Sequence, residues 1–131
     1  MNHQKIILKN SKRKNTNQHE SILQQECVKW FRLQYNDIKE LLFAIPNGGL
    51  RNKITAKKLK NEGVQKGVPD LFLSVPSSEH NGLFIEMKFG NNKPTIAQKI
   101  MMNKLTEQNY KCEVCYSFDG FKQIIKTYLK K

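Results

Sequence analysis

The chain is 131 residues long, enough for one domain with a core of its own and too short for two. Twenty-three basic residues stand against eleven acidic ones, a formal charge of +12, which favours a polyanionic partner such as nucleic acid over an acidic small metabolite. No apolar run is long enough to cross a bilayer and none follows the charged amino terminus as in a signal peptide; the expected compartment is the cytoplasm, where Cys27, Cys112 and Cys115 stay reduced thiols.

Residues 1–17 carry Lys5, Lys9, Lys12, Arg13 and Lys14 with no acid, and read as a flexible basic arm that either contacts phosphate or only aids solubility. A single domain then occupies 18–131. From Glu20 the pattern turns helical: Leu23, Cys27, Trp30 and Phe31 recur on one stripe up to about Tyr35, and Glu20 lies one turn before Leu23 on that stripe. Residues 41–45 read as a short buried strand, stopped by the turn chemistry of Pro46, Asn47, Gly48 and Gly49. Residues 52–62 are lysine-rich and helix-permissive, ending at Gly63. Lys53, Lys57, Lys58 and Lys60, beside Arg51, make either a solvated face or a phosphate-gripping one.

Residues 70–75 and 83–88 are the two clearest strands, joined by a polar link as in a hairpin. Residues 95–109 follow as a helix with Ile96, Ile100, Met101 and Leu105 on one side. Residues 112–118 form a fourth strand, and 119–129 a last helix capped by Asp119.

Strand parity brings the chemistry together. Successive strand residues face opposite ways, so Glu86 and Lys88 share a side with Phe84, while Leu83, Ile85 and Met87 face the core. On the neighbouring strand Leu71, Leu73 and Val75 form the core side, and Asp70, Phe72 and Ser74 the other. Asp70, Glu86 and Lys88 can therefore pool on one face. Two converging carboxylates with phosphate oxygens and water suit a hard divalent cation such as Mg2+ or Mn2+, and the Met87 carbonyl, directed along the ladder, is a further candidate oxygen ligand. Such a cation polarises a phosphate and activates a bound water, while the Lys88 ammonium stabilises the charge that develops. The plainer alternative is a set of surface ion pairs. Pro69 is tolerated because it opens its strand, and Gly67 would let backbone approach a ligand.

The remaining chemistry-bearing residues carry less. Cys112 and Cys115 have no second ligand pair for zinc, and three apart on a strand they face opposite ways. His3, His19 and His80 lie scattered without a partner nucleophile. Trp30 and Phe31 read as core, or half of a dimer contact, rather than base-stacking platforms. Asn47, Gly48, Gly49, Arg51, Lys53, Lys57 and Lys58 are candidate DNA contacts, reading backbone and shape, since no major-groove recognition helix is visible.

Taken in order, Glu20-Ser-Ile-Leu-Gln24, Ile45-Pro-Asn-Gly-Gly49 with Arg51, Gly67-Val-Pro-Asp-Leu71, Phe84-Ile-Glu-Met-Lys88 and Gln98 resemble the VRR-NUC branch of the restriction-endonuclease-like nucleases, over residues 20 to about 128. The resemblance implies an α/β fold: an α-β-β-β-α-β core with a mixed central sheet flanked by helices. It also implies that Glu20 joins Asp70 and Glu86 around Mg2+ or Mn2+, that Lys88 is the catalytic lysine, and that Gln24 and Gln98 line the site. Glu26, six residues beyond Glu20, falls on another helix face and is the weaker choice. Small standalone members of the family resemble Holliday-junction resolvases, homodimers that nick branched DNA and are frequent in phages. The expectation is a metal-dependent, structure-selective endonuclease; the alternative is a non-catalytic nucleic-acid-binding module on the same fold.

Overall fold

The computed structural model describes the backbone of residues 3–46 and 53–130 and the side chains of 16–46 and 55–130. Helix α1 (His3–Gln34) leads through a 3-10 helix (Asn36–Leu41) into strand β1 (Leu42–Ala44). Helix α2 (Lys53–Asn61), strands β2 (Leu71–Leu73) and β3 (Leu83–Met87), helix α3 (Ile96–Glu107), strand β4 (Lys111–Cys115) and helix α4 (Phe118–Leu129) follow. The four strands lie in the order β1-β2-β3-β4. β1, β2 and β3 pair antiparallel, and β4 runs parallel to β3, which the crossover through α3 requires. The sheet is mixed, and the expected α-β-β-β-α-β order is present, with α2 inserted and α4 appended.

Both faces of the sheet are covered, unequally. On one face Leu71, Leu73, Leu83, Ile85 and Met87 pack with Cys27 and Phe31 from α1 and with Phe121, Ile125 and Tyr128 from α4. The alternation in β2 and β3 selects these residues, and burying each large aliphatic or aromatic side chain contributes about 1.5–3 kcal/mol. Trp30 closes this core edge-on against Tyr35, Phe118 and Phe121, so its ring serves packing, as its helical stripe indicates. On the opposite face Phe72 stacks on Phe84 at 4.3 Å, with Tyr110 edge-on to both and Phe43 edge-on to Phe72.

Helix α3 lies over this second face. Gly67 makes that possible: its φ is +87°, and a Cβ there would stand 2.5 Å from the Ala97 carbonyl oxygen. The glycine thus brings backbone close to a helix rather than to a ligand. The inward positions of α3 are Ala97, Gln98, Met101, Met102 and Leu105, whereas Ile96 is 79% and Ile100 52% exposed. The stripe expected over Ile96 and Ile100 is therefore rotated by about one residue, roughly 100° of helix.

Three further expectations change. α1 begins at His3, so helical backbone takes in the segment composition marked as a mobile arm; its lysines, with no Gly or Pro among them, are good helix formers. β1 is an edge strand with only Leu42 buried, not a buried strand. Ser117, not Asp119, caps α4, its hydroxyl accepting from the Gly120 N–H at 3.0 Å; Asp119 sits in the first turn. Among the described residues no helix is long and apolar enough to cross a membrane. The three cysteines are free, and Cys112 and Cys115 do face apart: Cys112 reaches the Met102 carbonyl, while Cys115 pairs with Cys27 in the core.

Candidate active site

The site forms where the β2-β3 ladder stops. The last paired residues are Leu71 and Ile85, so the Met87 N–H, which faces β2, lacks a strand partner. Asp70, one residue before β2, supplies it: a carboxylate oxygen, Oδ2, accepts from the Met87 N–H at 2.8 Å. Strand geometry sends the Met87 carbonyl to the same side as its N–H, toward Asp70. On the other edge of β3 the Lys88 N–H donates to the Cys115 carbonyl at 2.9 Å. Both edges of the strand end are thereby pinned, which fixes the directions in which Glu86 and Lys88 leave it.

Glu86 is 2% exposed and Lys88 8%, an ionisable pair that burial would not tolerate without partners. One Glu86 oxygen, Oε1, accepts from the Gln98 side-chain amide at 3.0 Å and lies 3.7 Å from the Lys88 ammonium nitrogen. The other, Oε2, is buried with no hydrogen-bond partner. Burial pushes the Glu86 carboxyl up from 4.5 to about 8; the Asp70 charge and, once one of the two carboxyls is protonated, a hydrogen bond between them push the same way, Glu20 adds to it, and Lys88 opposes it, whereas with both ionised no donor reaches Oε2. Two carboxylates are thus held close enough to share a proton, with a third near enough to be felt.

Gln98 is fixed from its own helix. Thr95 caps α3, its hydroxyl accepting from the Gln98 N–H, and the Gln98 side-chain oxygen accepts from the Thr95 N–H at 2.8 Å. With its oxygen held by this capping box, the Gln98 amide nitrogen is left to aim at Glu86. Glu20, half-buried on α1, accepts from the Asn92 side-chain amide at 3.4 Å, and one residue earlier His19 stacks on Phe89 at 4.4 Å. These two contacts tie α1 to the loop that leaves Lys88.

The order of these residues matches a family. A model of the VRR-NUC domain fits residues 2–119. The chain belongs to the VRR-NUC domain family. That family is one of nucleases, which makes DNA the class of substrate. A solved structure described as a "VRR_NUC domain protein" has the same fold, with a TM-score of 0.74 and 28% identity over 85% of this chain and 88% of the other. No curated protein matches the chain.

Within this VRR-NUC domain, Asp70, Glu86, Lys88, Gln98 and the Met87 backbone meet at one point, and Glu20 approaches from α1. Gln24 lies one turn further along α1, on the wall of an adjoining groove. Glu26 is exposed and absent from that wall. Among the described residues no three His, Cys, Asp or Glu side chains are gathered as a cation cage. The oxygens that could hold a cation are the Asp70 and Glu86 carboxylates and the Met87 carbonyl, and the donor set fits: the partnerless Glu86 Oε2 and the carboxylate repulsion are both relieved by positive charge. Lys57 and Lys58 are exposed on α2. Asn47, Gly48, Gly49 and Arg51 lie outside the described residues, as does the side chain of Lys53.

Sequence reading missed Asn92 and the basic end of the groove, Lys29 and Arg32. Asn92 follows Gly90, whose φ of +63° turns the chain after Phe89, so a Gly-Asn-Asn run just behind Lys88 was the available signal. For Lys29 and Arg32 the signal was their helical spacing with Gln24 and Gln25.

Proposed function

We propose that this VRR-NUC domain is a metal-dependent, structure-selective endonuclease that hydrolyses phosphodiester bonds in branched DNA, in the manner of a Holliday-junction resolvase. The observation that carries the reading is the buried Glu86 carboxylate oxygen left without a partner beside a second carboxylate. A protein that only bound DNA would gain nothing from that arrangement, whose desolvation and repulsion cost stability.

A bound Mg2+ or Mn2+ would polarise the scissile phosphate and lower the pKa of an attacking water. Asp70 and Glu86 would hold that cation, with the Met87 carbonyl as a further oxygen. The Met87 N–H fixes the Asp70 carboxylate, and Gln98 orients Glu86 through Oε1 so that Oε2 stays free. Lys88, packed against Glu86, presents its ammonium to the water and to the charge growing on the phosphate. Glu20, steadied by Asn92, adds a carboxylate from the α1 side. The phosphoryl group passes directly to water with no covalent enzyme intermediate. Paired nicks need two centres, so the working unit is a homodimer, and sedimentation at micromolar concentration tests it against a monomer mass. The setting is the cytoplasm.

The test is cleavage of labelled four-way junction, flap, single-stranded and linear duplex DNA by the full chain in Mg2+ or Mn2+. Paired nicks confined to branched DNA are the expected result. Binding of every substrate without cleavage of any would favour the alternative, a basic nucleic-acid-binding module.

A further inference from the structure

Helix α1 packs on the aliphatic face of the sheet, whereas Glu86 and Lys88 leave β3 on the other side. Glu20 therefore meets them around the end of β3, and the core does not hold it there. Among the described side chains of α1, Leu23 is the first to pack on the core and Cys27 the first to be fully buried, about 4.5 and 10.5 Å beyond Glu20 along the helix axis. His19, Ser21 and Ile22, on either side of Glu20, are exposed. The chain that reaches this stretch is the turn following Lys88. Phe89 opens it, 40% exposed, with its ring on the His19 imidazole at 4.4 Å and 12° between the planes. Asn92 closes it, its N–H donating to the Phe89 carbonyl at 3.2 Å and its side-chain amide to Glu20 at 3.4 Å. Gly90, with φ +63°, gives the turn the positive φ taken at its first central position.

Phe89 joins neither the buried core nor the Phe72 cluster on the opposite face; among the described residues its ring partner is His19. Two rings stacked face to face fix orientation as well as distance, because tilting or sliding either one loses the contact. We propose that the turn Phe89–Asn92 is a clasp on α1 and that His19 and Phe89 are positioning residues, which with Asn92 hold Glu20 at the metal centre. The proposal rests on the nuclease reading and deepens it by assigning what sets the helical acid in place. One grip acts on the residue before Glu20 and the other on the Glu20 carboxylate, so helix and side chain are fixed separately. The turn leaves β3 directly after Lys88, so one short piece of chain sets the lysine and the acid relative to each other. Glu20 stands close enough for its charge to be felt at Glu86.

The first test needs neither metal nor DNA: amide hydrogen exchange of the full chain in EDTA. His19→Ala and Phe89→Ala are each expected to speed exchange over residues 17–23 about 3- to 10-fold and to leave 27–34 unchanged. The same variants should need about 3- to 10-fold more Mn2+ for half-saturation, read by calorimetry without DNA, and lose about tenfold in kcat on a four-way junction with KM nearly constant. Combining the two should do no more than the poorer single variant, since both remove one contact. His19→Phe keeps a ring on Phe89 and should stay within about twofold of wild type in exchange, Mn2+ binding and kcat. Wild-type exchange in both alanine variants overturns the proposal. So does faster exchange with Mn2+ binding and kcat intact, and so does a His19→Phe variant that exchanges like wild type but cuts like His19→Ala, which would make the imidazole a group that touches substrate. If wild type neither binds Mn2+ nor cuts while α1 loosens in the variants, the nuclease reading fails and the clasp on α1 stands. If wild type cuts and the variants match it throughout, the clasp fails alone.

Discussion

At the scale of single residues the decisive quantity is the free energy of Glu86. Its carboxyl titrates near 8 in the folded protein and near 4.5 in its ordinary state. Between those values the folded chain keeps a proton that the unfolded chain has lost, so stability present below about 4.5 drains away as pH rises toward 8. In EDTA the melting temperature is therefore expected to fall from pH 5 to pH 8, and Glu86→Gln, which cannot ionise, should flatten that fall. Adding Mg2+ should restore stability most at the alkaline end, where the carboxylate is charged; a wild-type curve that is level or rises would contradict the assignment. Asn92 acts one contact further out, on Glu20. As a positioning residue it should matter by about 10- to 100-fold in kcat when changed to Ala, with KM nearly constant and activity partly regained at higher Mn2+. An unchanged kcat would mean that Glu20 needs no such hold.

At the scale of elements, Gly67 decides where α3 lies and so where Gln98 points. Gly67→Ala combines a positive φ with a Cβ driven into the Ala97 carbonyl, and should cost about 2 kcal/mol or more in urea denaturation while also lowering cleavage through Gln98. Gly63→Ala, at φ +105° but with open space around it, should cost less; equal losses would show that strain alone matters. What was legible in the sequence follows the same division. Period-two alternation in β2 and β3 was enough to sort Leu71, Leu73, Leu83, Ile85 and Met87 from Asp70, Glu86 and Lys88, because a strand has only two sides. A helix has no such restriction. The stripe of α3 was misjudged because Ile96 and Ile100 look like core, whereas the Gly67 contact sets the helix rotation, and that contact joins residues thirty apart. Ser117 outcompeted Asp119 as a cap because its hydroxyl reaches the Gly120 N–H, a choice that depends on where β4 stops.

At the scale of the whole molecule, the two sheet faces divide the labour. One is packed by α1 and α4 into an aliphatic and aromatic core that holds the strands rigid; the other carries an aromatic cluster, α3 and, at the end where β2 stops pairing, the buried Glu86 and Lys88 beside the half-buried Asp70. A net charge of +12 surrounds this acidic point, so the polyanion is attracted to the molecule while the centre itself is left needing a cation. We propose that Asp70, Glu86 and Lys88 form a catalytic metal centre and not a structural ion pair. The most direct test is cleavage of a labelled four-way junction by wild type, Glu86→Gln and Lys88→Ala, each confirmed folded by circular dichroism, with and without Mg2+ or Mn2+. The account predicts cleavage by wild type only with metal, and a loss of at least about 100-fold in both variants while junction binding persists. Folded variants that cut as fast as wild type, or wild-type cleavage that survives EDTA, would contradict it.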